Sequence, residues 1–195
     1  MAPRARLTLP RARRSQRTRT ARPFLRVLVA ALAAVGTFLS LAVVASPADA
    51  ARLYRTTTEL DYSHAVLRVL NAERAAHGLR PLRGDSRLRL SARWHNLAMA
   101  RANTLSHQLP GELNFARRID KAGYHWTYAG ENIGWNSVMT KRGVVALEKI
   151  MYQERPPNDG HRLNILSRNY RNVGVDVYLD RAHHKVWLTT DFGRL

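Results

Sequence analysis

Two imidazoles and two carboxylates stand beside short, rigid motifs in this sequence. Within Met151–Ser167, Glu154 comes just before a proline pair, and His161 follows a glycine shortly afterwards. Farther upstream, His107 follows a serine and Glu131 lies in a Gly-Glu-Asn-Ile motif. Prolines stop a helix and glycines permit tight turns, so these motifs can hold side chains at defined corners. We predict that the four residues form one site.

Three kinds of chemistry suit this set of residues. Neutral imidazoles at His107 and His161 can hold zinc or another divalent ion with water completing the shell, although catalytic zinc usually has three protein ligands. Alternatively, Glu131 or Glu154 acts as a base on water while a histidine donates a proton, as in acid–base hydrolysis. The third alternative is a satisfied polar network that fixes a cavity wall. No recognisable motif supplies a serine or cysteine nucleophile.

Hydrophobic periodicity places these residues among helices. It predicts helices over Glu59–His77, from Asp85 or Ser86 to near Leu105, over part of Gly111–Ala122, and over Gly143–Glu154. In the second helix, Leu90, Trp94 and Leu97 recur at helical spacing and predict the buried face. In the last helix, Leu147, Met151 and Glu154 share one stripe. That stripe points Glu154 inward, where a carboxylate needs a partner.

Strands follow late in the chain. Apolar residues alternate with others over 173–179 and again over 186–192, and the short polar link Asp180–His184 predicts an antiparallel hairpin. Tyr124–Trp135 is aromatic and punctuated by glycines, which indicates a strand leading into a loop. Helices first and an antiparallel sheet late predict an α+β fold, a sandwich of helices and sheet.

The first fifty residues have the pattern of a secretory signal. Nine arginines precede an apolar run from Val27 to Ala45, and small residues in an A-x-A arrangement favour cleavage before Ala51. The alternative is an uncleaved membrane anchor, because the run is close to the length of a bilayer span. We therefore expect a signal over 1–50, a mobile lead-in over 51–58, and one domain over 59–195 in a protein that is secreted or associated with the cell envelope.

Charge and composition narrow the partners. The net charge is +18, of which the first fifty residues carry +8 and the rest of the chain +10. A basic exterior favours anionic components of the cell envelope. No recognition motif for nucleic acid accompanies it, so a specific nucleic-acid partner is not expected. The sequence contains no cysteine, so its fold relies on its core rather than on disulfides.

Several short motifs, taken together, resemble one known family. The sequence is similar to the CAP superfamily of cysteine-rich secretory proteins, antigen 5 and pathogenesis-related 1 proteins, also called the SCP domain. The similarity spans about Leu60 to Gly193. Its matching pieces are LNAERAAHGLRPL (Leu70–Leu82), Ser106-His107, AGYHWTYAGENIG (Ala122–Gly134), GHRLNILS (Gly160–Ser167), YRNVGV (Tyr170–Val175) and WLTTDFG (Trp187–Gly193).

The resemblance implies an α-β-α sandwich with a small antiparallel sheet between helices. It also implies a cavity lined by two histidines and two glutamates, which match His107, Glu131, Glu154 and His161. The sterols, fatty acids, other lipids and divalent metals that recur as ligands in the family make a small apolar or amphipathic ligand the expectation here. The cysteine-rich tail of some animal members is absent, so the functions tied to that tail do not carry over.

We therefore expect an exported binding module of bacterial type. His107, Glu131, Glu154 and His161 line its cleft, and His107 and His161 are the candidate ligands for zinc or another divalent metal. The main alternative is a hydrolase with Glu131 or Glu154 as the candidate catalytic residue. A second alternative is a cationic adhesion or antimicrobial protein. His95 is expected to serve packing rather than chemistry.

Overall fold

The computed structural model describes residues 55–195. The predicted signal over 1–50, its alternative as an anchor, and most of the predicted lead-in lie outside these residues. Within the described part of the chain, no helix is both long and apolar enough to cross a membrane.

Within residues 55–195, five helices precede or interrupt the sheet. They are α1 (Thr57–Ala76), α2 (Ser86–Ala102), α3 (Phe115–Lys121), α4 (Lys141–Gln153) and α5 (Gly160–Ile165). Side chains cap the first four: Thr56, Asp85, Asn114 and Thr140 each accept a hydrogen bond from a backbone N–H of the first turn. At α1 the bond is reciprocal, because Glu59 also accepts from the N–H of Thr56.

The four strands form a single mixed sheet. They are β1 (Arg83–Gly84), β2 (Tyr128–Asn136), β3 (Asn172–Asp180) and β4 (Lys185–Arg194), in the spatial order β1-β3-β4-β2. β3 and β4 form the predicted antiparallel hairpin, β2 pairs antiparallel with β4, and the short β1 runs parallel to β3. The long strand β2 therefore lies at one edge of the sheet.

Helices cover both faces of this sheet. On one face, α1 and α4 pack over β3 and β4, around Val66, Leu70, Val144, Leu147 and the alternating apolar residues of the hairpin. On the other face, α2 and α3 pack through smaller clusters around Met99, Trp187, Leu88 and Ile119. The arrangement confirms the predicted α-β-α sandwich, and it follows from strands whose two faces are both buried.

Three details of the prediction were wrong. The helix α1 begins at Thr57, and Arg55 forms an ion pair of 2.5 Å with the buried Asp176, so residues 55–58 are not a mobile lead-in. The predicted order of strand and loop within Tyr124–Trp135 is reversed, because residues 124–127 precede the strand β2, which contains the Gly-Glu-Asn-Ile motif. Leu90, Trp94 and Leu97 are only half-buried, because the face of α2 that meets the sheet carries polar residues.

Candidate functional site

The first part of the site is a buried carboxylate that receives an imidazole. Glu131 lies in the edge strand β2, and its side chain is 1% exposed. Its Oε1 lies 2.8 Å from Nδ1 of His107, whose own side chain is 55% exposed. Its Oε2 accepts a hydrogen bond from Nη2 of the buried Arg118 on α3. Both carboxylate oxygens are thus occupied.

The groups around Glu131 keep it ionised. Burial alone would raise its pKa, but the hydrogen bond from His107 and the nearby His95 and Arg118 hold the pKa below its ordinary value. His95 is fully buried, with Nδ1 2.8 Å from Oε1 of Glu112 and Nε2 3.9 Å from Oε1 of Glu131. The prediction that His95 is a packing residue therefore missed its polar contacts with this cluster.

A second carboxyl group lies directly across the ladder from Glu131. Asp191 of β4 is the register partner of Glu131 and is completely buried. Burial and the negative charge of Glu131 raise the pKa of Asp191 well above its ordinary value, while Ser91 and Arg118 oppose that shift. The neighbouring carboxyls thus differ in proton affinity, because the pKa of Glu131 is lowered and the pKa of Asp191 is raised.

The second part of the site is the corner between α4 and α5. Glu154 is the C-cap of α4 rather than its last helical residue, with φ −52° and ψ 152°. Its Oε1 lies 2.5 Å from Nδ1 of His161, and its Oε2 accepts from the backbone N–H of His161 at 3.0 Å. The carboxylate therefore holds both the ring and the backbone of His161 at the start of α5. The sequence predicted that an inward-pointing Glu154 needs a partner, and this partner is the imidazole of His161.

Successive residues of β2 connect these two histidine–glutamate pairs. Side chains alternate across a strand, so Glu131 reaches His107 on the face covered by α2, and Asn132 reaches α5 on the other face. Nδ2 of Asn132 donates to the backbone carbonyl of His161 at 3.1 Å. Asn164 of α5 donates to Oδ1 of Asn132 at 2.8 Å and also lies 3.3 Å from the carbonyl of Glu131. The two pairs therefore flank the edge strand of the sheet.

Gly130 allows this close approach of α5 to the strand. A Cβ at this position would overlap the hydroxyl of Tyr170 and lie 3.0 Å from Oδ1 of Asn164. The first residue of the Gly-Glu-Asn-Ile motif thus makes room for the polar contacts that its Asn132 makes.

The structure brings the predicted residues together in pairs, His107 with Glu131 and Glu154 with His161. Sequence reasoning missed Arg118, Glu112 and Asp191. Asp191 belongs to the closing WLTTDFG motif. Its place in the alternating pattern put it with Thr189 on the face of β4 opposite the apolar residues. Nothing in the local pattern around Arg118 signalled that this arginine, unlike the exposed Arg117 beside it, is buried.

The arrangement leaves one nitrogen of each site imidazole available. Nδ1 of His107 and Nδ1 of His161 both face carboxylates, so an Nδ1–H tautomer directs the lone pair of Nε2 outward in each ring. A carboxylate behind an imidazole is also the usual way of orienting a metal-binding histidine. Residues 55–195 contain no group of three or more His, Cys, Asp or Glu side chains arranged around a metal ion. Each of the two histidines can therefore supply one nitrogen ligand to an ion, with the other ligands from water or from a bound molecule.

Comparisons with known proteins agree on one family. The model of the family described as "CAP: Cysteine-rich secretory protein family" matches residues 67–192. The uncharacterized protein YkwD of Bacillus subtilis is 30% identical over 164 residues, which cover 82% of this chain and 59% of that relative. The chain thus spans less than two thirds of that protein.

Solved structures show the same fold. An extracellular protein with an SCP domain from Bacillus anthracis has a TM-score of 0.60 and 26% identity, over 70% of this chain and 41% of that chain. An outer surface protein of Borrelia burgdorferi has a TM-score of 0.58 and 16% identity, over 69% of this chain and 92% of that chain. A cysteine-rich secretory protein of Staphylococcus aureus has a TM-score of 0.51 and 21% identity, over 72% and 40%. The two less identical structures bear on the fold alone.

Proposed function

The chain belongs to the cysteine-rich secretory protein family, CAP, and from that premise we propose that it is an exported binding module. Its two histidine–glutamate pairs form the polar end of a cleft for a small amphipathic molecule, with a divalent metal as a further ligand of the imidazoles. The location outside the cell is supported by the Bacillus anthracis structure, which is described as an extracellular protein, and by the basic, apolar pattern of residues 1–50.

The observation that carries the proposal is the use of both carboxylates to hold imidazoles. Glu131 gives its two oxygens to His107 and Arg118, and Glu154 gives both of its oxygens to His161. A general base needs a carboxylate that can reach a water or a substrate proton. Since these carboxylates are occupied, the groups presented outward are the two Nε2 atoms, which suit binding a polar group or a metal.

Apolar side chains accompany each imidazole. Leu105 lies two residues before His107 and is 44% exposed, and Leu163 lies two residues after His161 and is 62% exposed. The proposal takes these exposed leucines as the apolar border of the cleft, which favours a ligand with an apolar part and a polar end. This composition supports an amphipathic molecule over a fully polar one.

The metal hypothesis rests on His107 and His161. With their Nδ1 atoms directed at carboxylates, the two rings can supply neutral Nε2 ligands, and imidazole suits zinc and related divalent ions. When bound, such an ion would supply positive charge to attract the polar end of the amphipathic ligand. Two protein ligands predict modest affinity.

Calorimetric titration of the purified protein with zinc tests this proposal. We expect binding in the wild type, at least a tenfold loss in His107→Gln and in His161→Gln, and weaker binding in acid, because a protonated imidazole cannot hold a metal. His183→Gln is the matched control, since Nδ1 of His183 lies 2.7 Å from Oδ2 of Asp180 on the hairpin turn, away from the cleft. Equal losses in all three variants would refute the assignment of the site.

The amphipathic ligand needs its own measurement. The wild type and the same variants should be titrated with a fluorescent long-chain fatty acid, and incubated with peptide, ester and glycan substrates. Saturable fatty-acid binding that weakens in His107→Gln and His161→Gln, without turnover, supports the module. Turnover that disappears in Glu131→Gln or Glu154→Gln would instead establish a hydrolase.

A further inference from the structure

Four arginines surround a cavity that contains none of the residues of the histidine–glutamate pairs. The cavity has a volume of about 300 Å³. The end of α1 and the connector after it form one wall, with Arg74, Gly78, Leu79 and Arg80. The loop between α5 and β3 forms the other wall, with Arg168 and Arg171. No acidic side chain lines it.

Arg74 forms the floor of this cavity and is built into the interior. Its side chain is 1% exposed. Nε donates to the carbonyl of Arg80 at 3.0 Å, and Nη1 donates to the carbonyls of Ile165 and Ser167 at 2.6 and 2.9 Å. These bonds join α1 to the loop after α5, but they leave Nη2 without a protein hydrogen bond. The guanidinium is thus held rigidly, with one edge available to the cavity.

Two carbonyl groups at the end of α1 already accept hydrogen bonds from the backbone. The carbonyl of Arg74 accepts from the N–H groups of His77 and Leu79, and the carbonyl of Ala75 accepts from Gly78. Gly78 has a φ of +64°, the left-handed conformation that closes a helix in this way. These two carbonyls are therefore not available to a molecule in the cavity.

The charge of the cavity has no counterpart in the described part of the chain. No ion pair there involves Arg74, Arg80, Arg168 or Arg171, and Arg80 and Arg168 make no hydrogen bonds with their side chains. Nη1 of Arg171 is turned back onto the carbonyls of Arg168 and Tyr170. Burial and the nearby charge of Arg171 lower the pKa of Arg74, so these two guanidinium groups repel each other. An anion in the cavity would relieve that repulsion.

We propose that this cavity is a binding site for a phosphate-bearing anion, held by the free edge of Arg74 and by the exposed side chains of Arg80 and Arg168. A guanidinium offers paired N–H groups that match phosphate oxygens, and such charge-assisted bonds are among the strongest hydrogen bonds in proteins. The volume lies at the lower end of the range for small-molecule pockets. It therefore suits a phosphate group with a small substituent rather than a large molecule. The phosphate can be free or the headgroup of a lipid.

The test is calorimetry with inorganic pyrophosphate at constant ionic strength, together with flotation with phosphatidylcholine vesicles that do or do not contain phosphatidic acid. The double variant Arg80→Gln/Arg168→Gln removes two charges at exposed positions and leaves Arg74 to hold the fold. The control Arg83→Gln/Arg142→Gln removes the same charge from exposed arginines outside the cavity.

We expect the cavity variant to lose at least tenfold in affinity for pyrophosphate, for phosphatidic-acid vesicles, or for both, while the control keeps wild-type affinity. Binding of pyrophosphate alone identifies a free phosphate as the ligand, and binding of vesicles alone identifies the lipid headgroup. Equal losses in the two double variants would show attraction by net charge and overturn the proposal. So would the absence of binding to either probe.

Discussion

Glu131 and Glu148 are both buried carboxyl groups, yet their pKa values are shifted in opposite directions. Glu131 is surrounded by His107, Arg118 and His95, which hold its pKa below the ordinary value in spite of burial. On α4, Glu148 has no hydrogen-bond partner for either oxygen within residues 55–195, and burial followed by the charge of Glu73 raises its pKa to about 8. Burial by itself favours the neutral acid, so the ionised state at the site is imposed by the neighbours of Glu131.

Like Glu148, Glu73 is a carboxyl group between α1 and α4 whose pKa is raised by burial. It lies on α1, half-buried, and burial raises its pKa to about 7 although Lys149 and Arg162 act in the opposite direction. The interface between α1 and α4 is thus neutral in acid and becomes charged near neutral pH. The difference between the two regions shows that the polar groups of the edge strand were arranged to keep a charge, whereas those between the helices avoid one.

Among these substitutions, replacing Arg118 by methionine should have the largest effect on stability, because it removes a cation that balances the charge of Glu131. Arg118→Met leaves Glu131 buried without its cation, and removal of one partner of a buried ion pair costs about 3–5 kcal/mol. The free energy of unfolding, measured by urea denaturation at pH 7, should fall by that amount. Arg117→Met, at the exposed neighbouring position, is the control and should change it little. A loss below about 1 kcal/mol in Arg118→Met would mean that Glu131 does not depend on this cation.

Replacing Glu148 by glutamine should change how the free energy of unfolding depends on pH. The folded pKa of about 8 lies above the ordinary 4.5, so the stabilisation of the neutral acid is complete below pH 4.5 and is lost as the pH rises to 8. Between pH 4.5 and pH 7, ionisation of Glu148 should lower the free energy of unfolding of the wild type by about 3 kcal/mol. Glu148→Gln should not show this decrease, because glutamine does not ionise.

Urea denaturation of both proteins from pH 4.5 to 8 measures this difference. Asp61→Asn is the control, because Asp61 is exposed and pairs with Lys141 at the surface, where an ion pair contributes about 1 kcal/mol or less. Parallel pH profiles for the wild type and Glu148→Gln would show that Glu148 does not titrate in this range.

Replacing Asp191 by asparagine should have the smallest effect and sharpen the comparison within the site. Since burial and the charge of Glu131 favour the protonated form of Asp191, a neutral amide resembles the favoured acid, and we expect a change of about 1 kcal/mol or less at pH 7. Glu131→Gln is the counterpart, and it should cost more because it leaves Arg118 unpaired. If Asp191→Asn were the more damaging of the two, the assigned charge states would be reversed.

Much of the architecture could be predicted from local patterns. Alternating apolar residues predicted the β3–β4 hairpin with its link at Asp180–His184, and helical periodicity placed α1, α2 and α4 within a few residues of their observed ends. The buried face of α2 could not be predicted in this way. It carries Arg93, His95 and Asn96, whose polar groups meet partners from the sheet and from the loop before α3. A hydrophobic stripe cannot reveal a buried polar face.

The sequence by itself determined which side chains could do chemistry and the rigid corners that hold them. The proline pair after Glu154 and the glycine before Glu131 are local signals, and His107 and His161 are recognisable from their motifs. Only the tertiary structure decided how these residues combine. Adjacent residues of the edge strand face opposite sides, so Glu131 meets His107, Arg118 and His95 on one side while Asn132 meets α5 on the other. The charge on Glu131 depends on residues brought from other elements, because electrostatic interactions act through space and not along the chain.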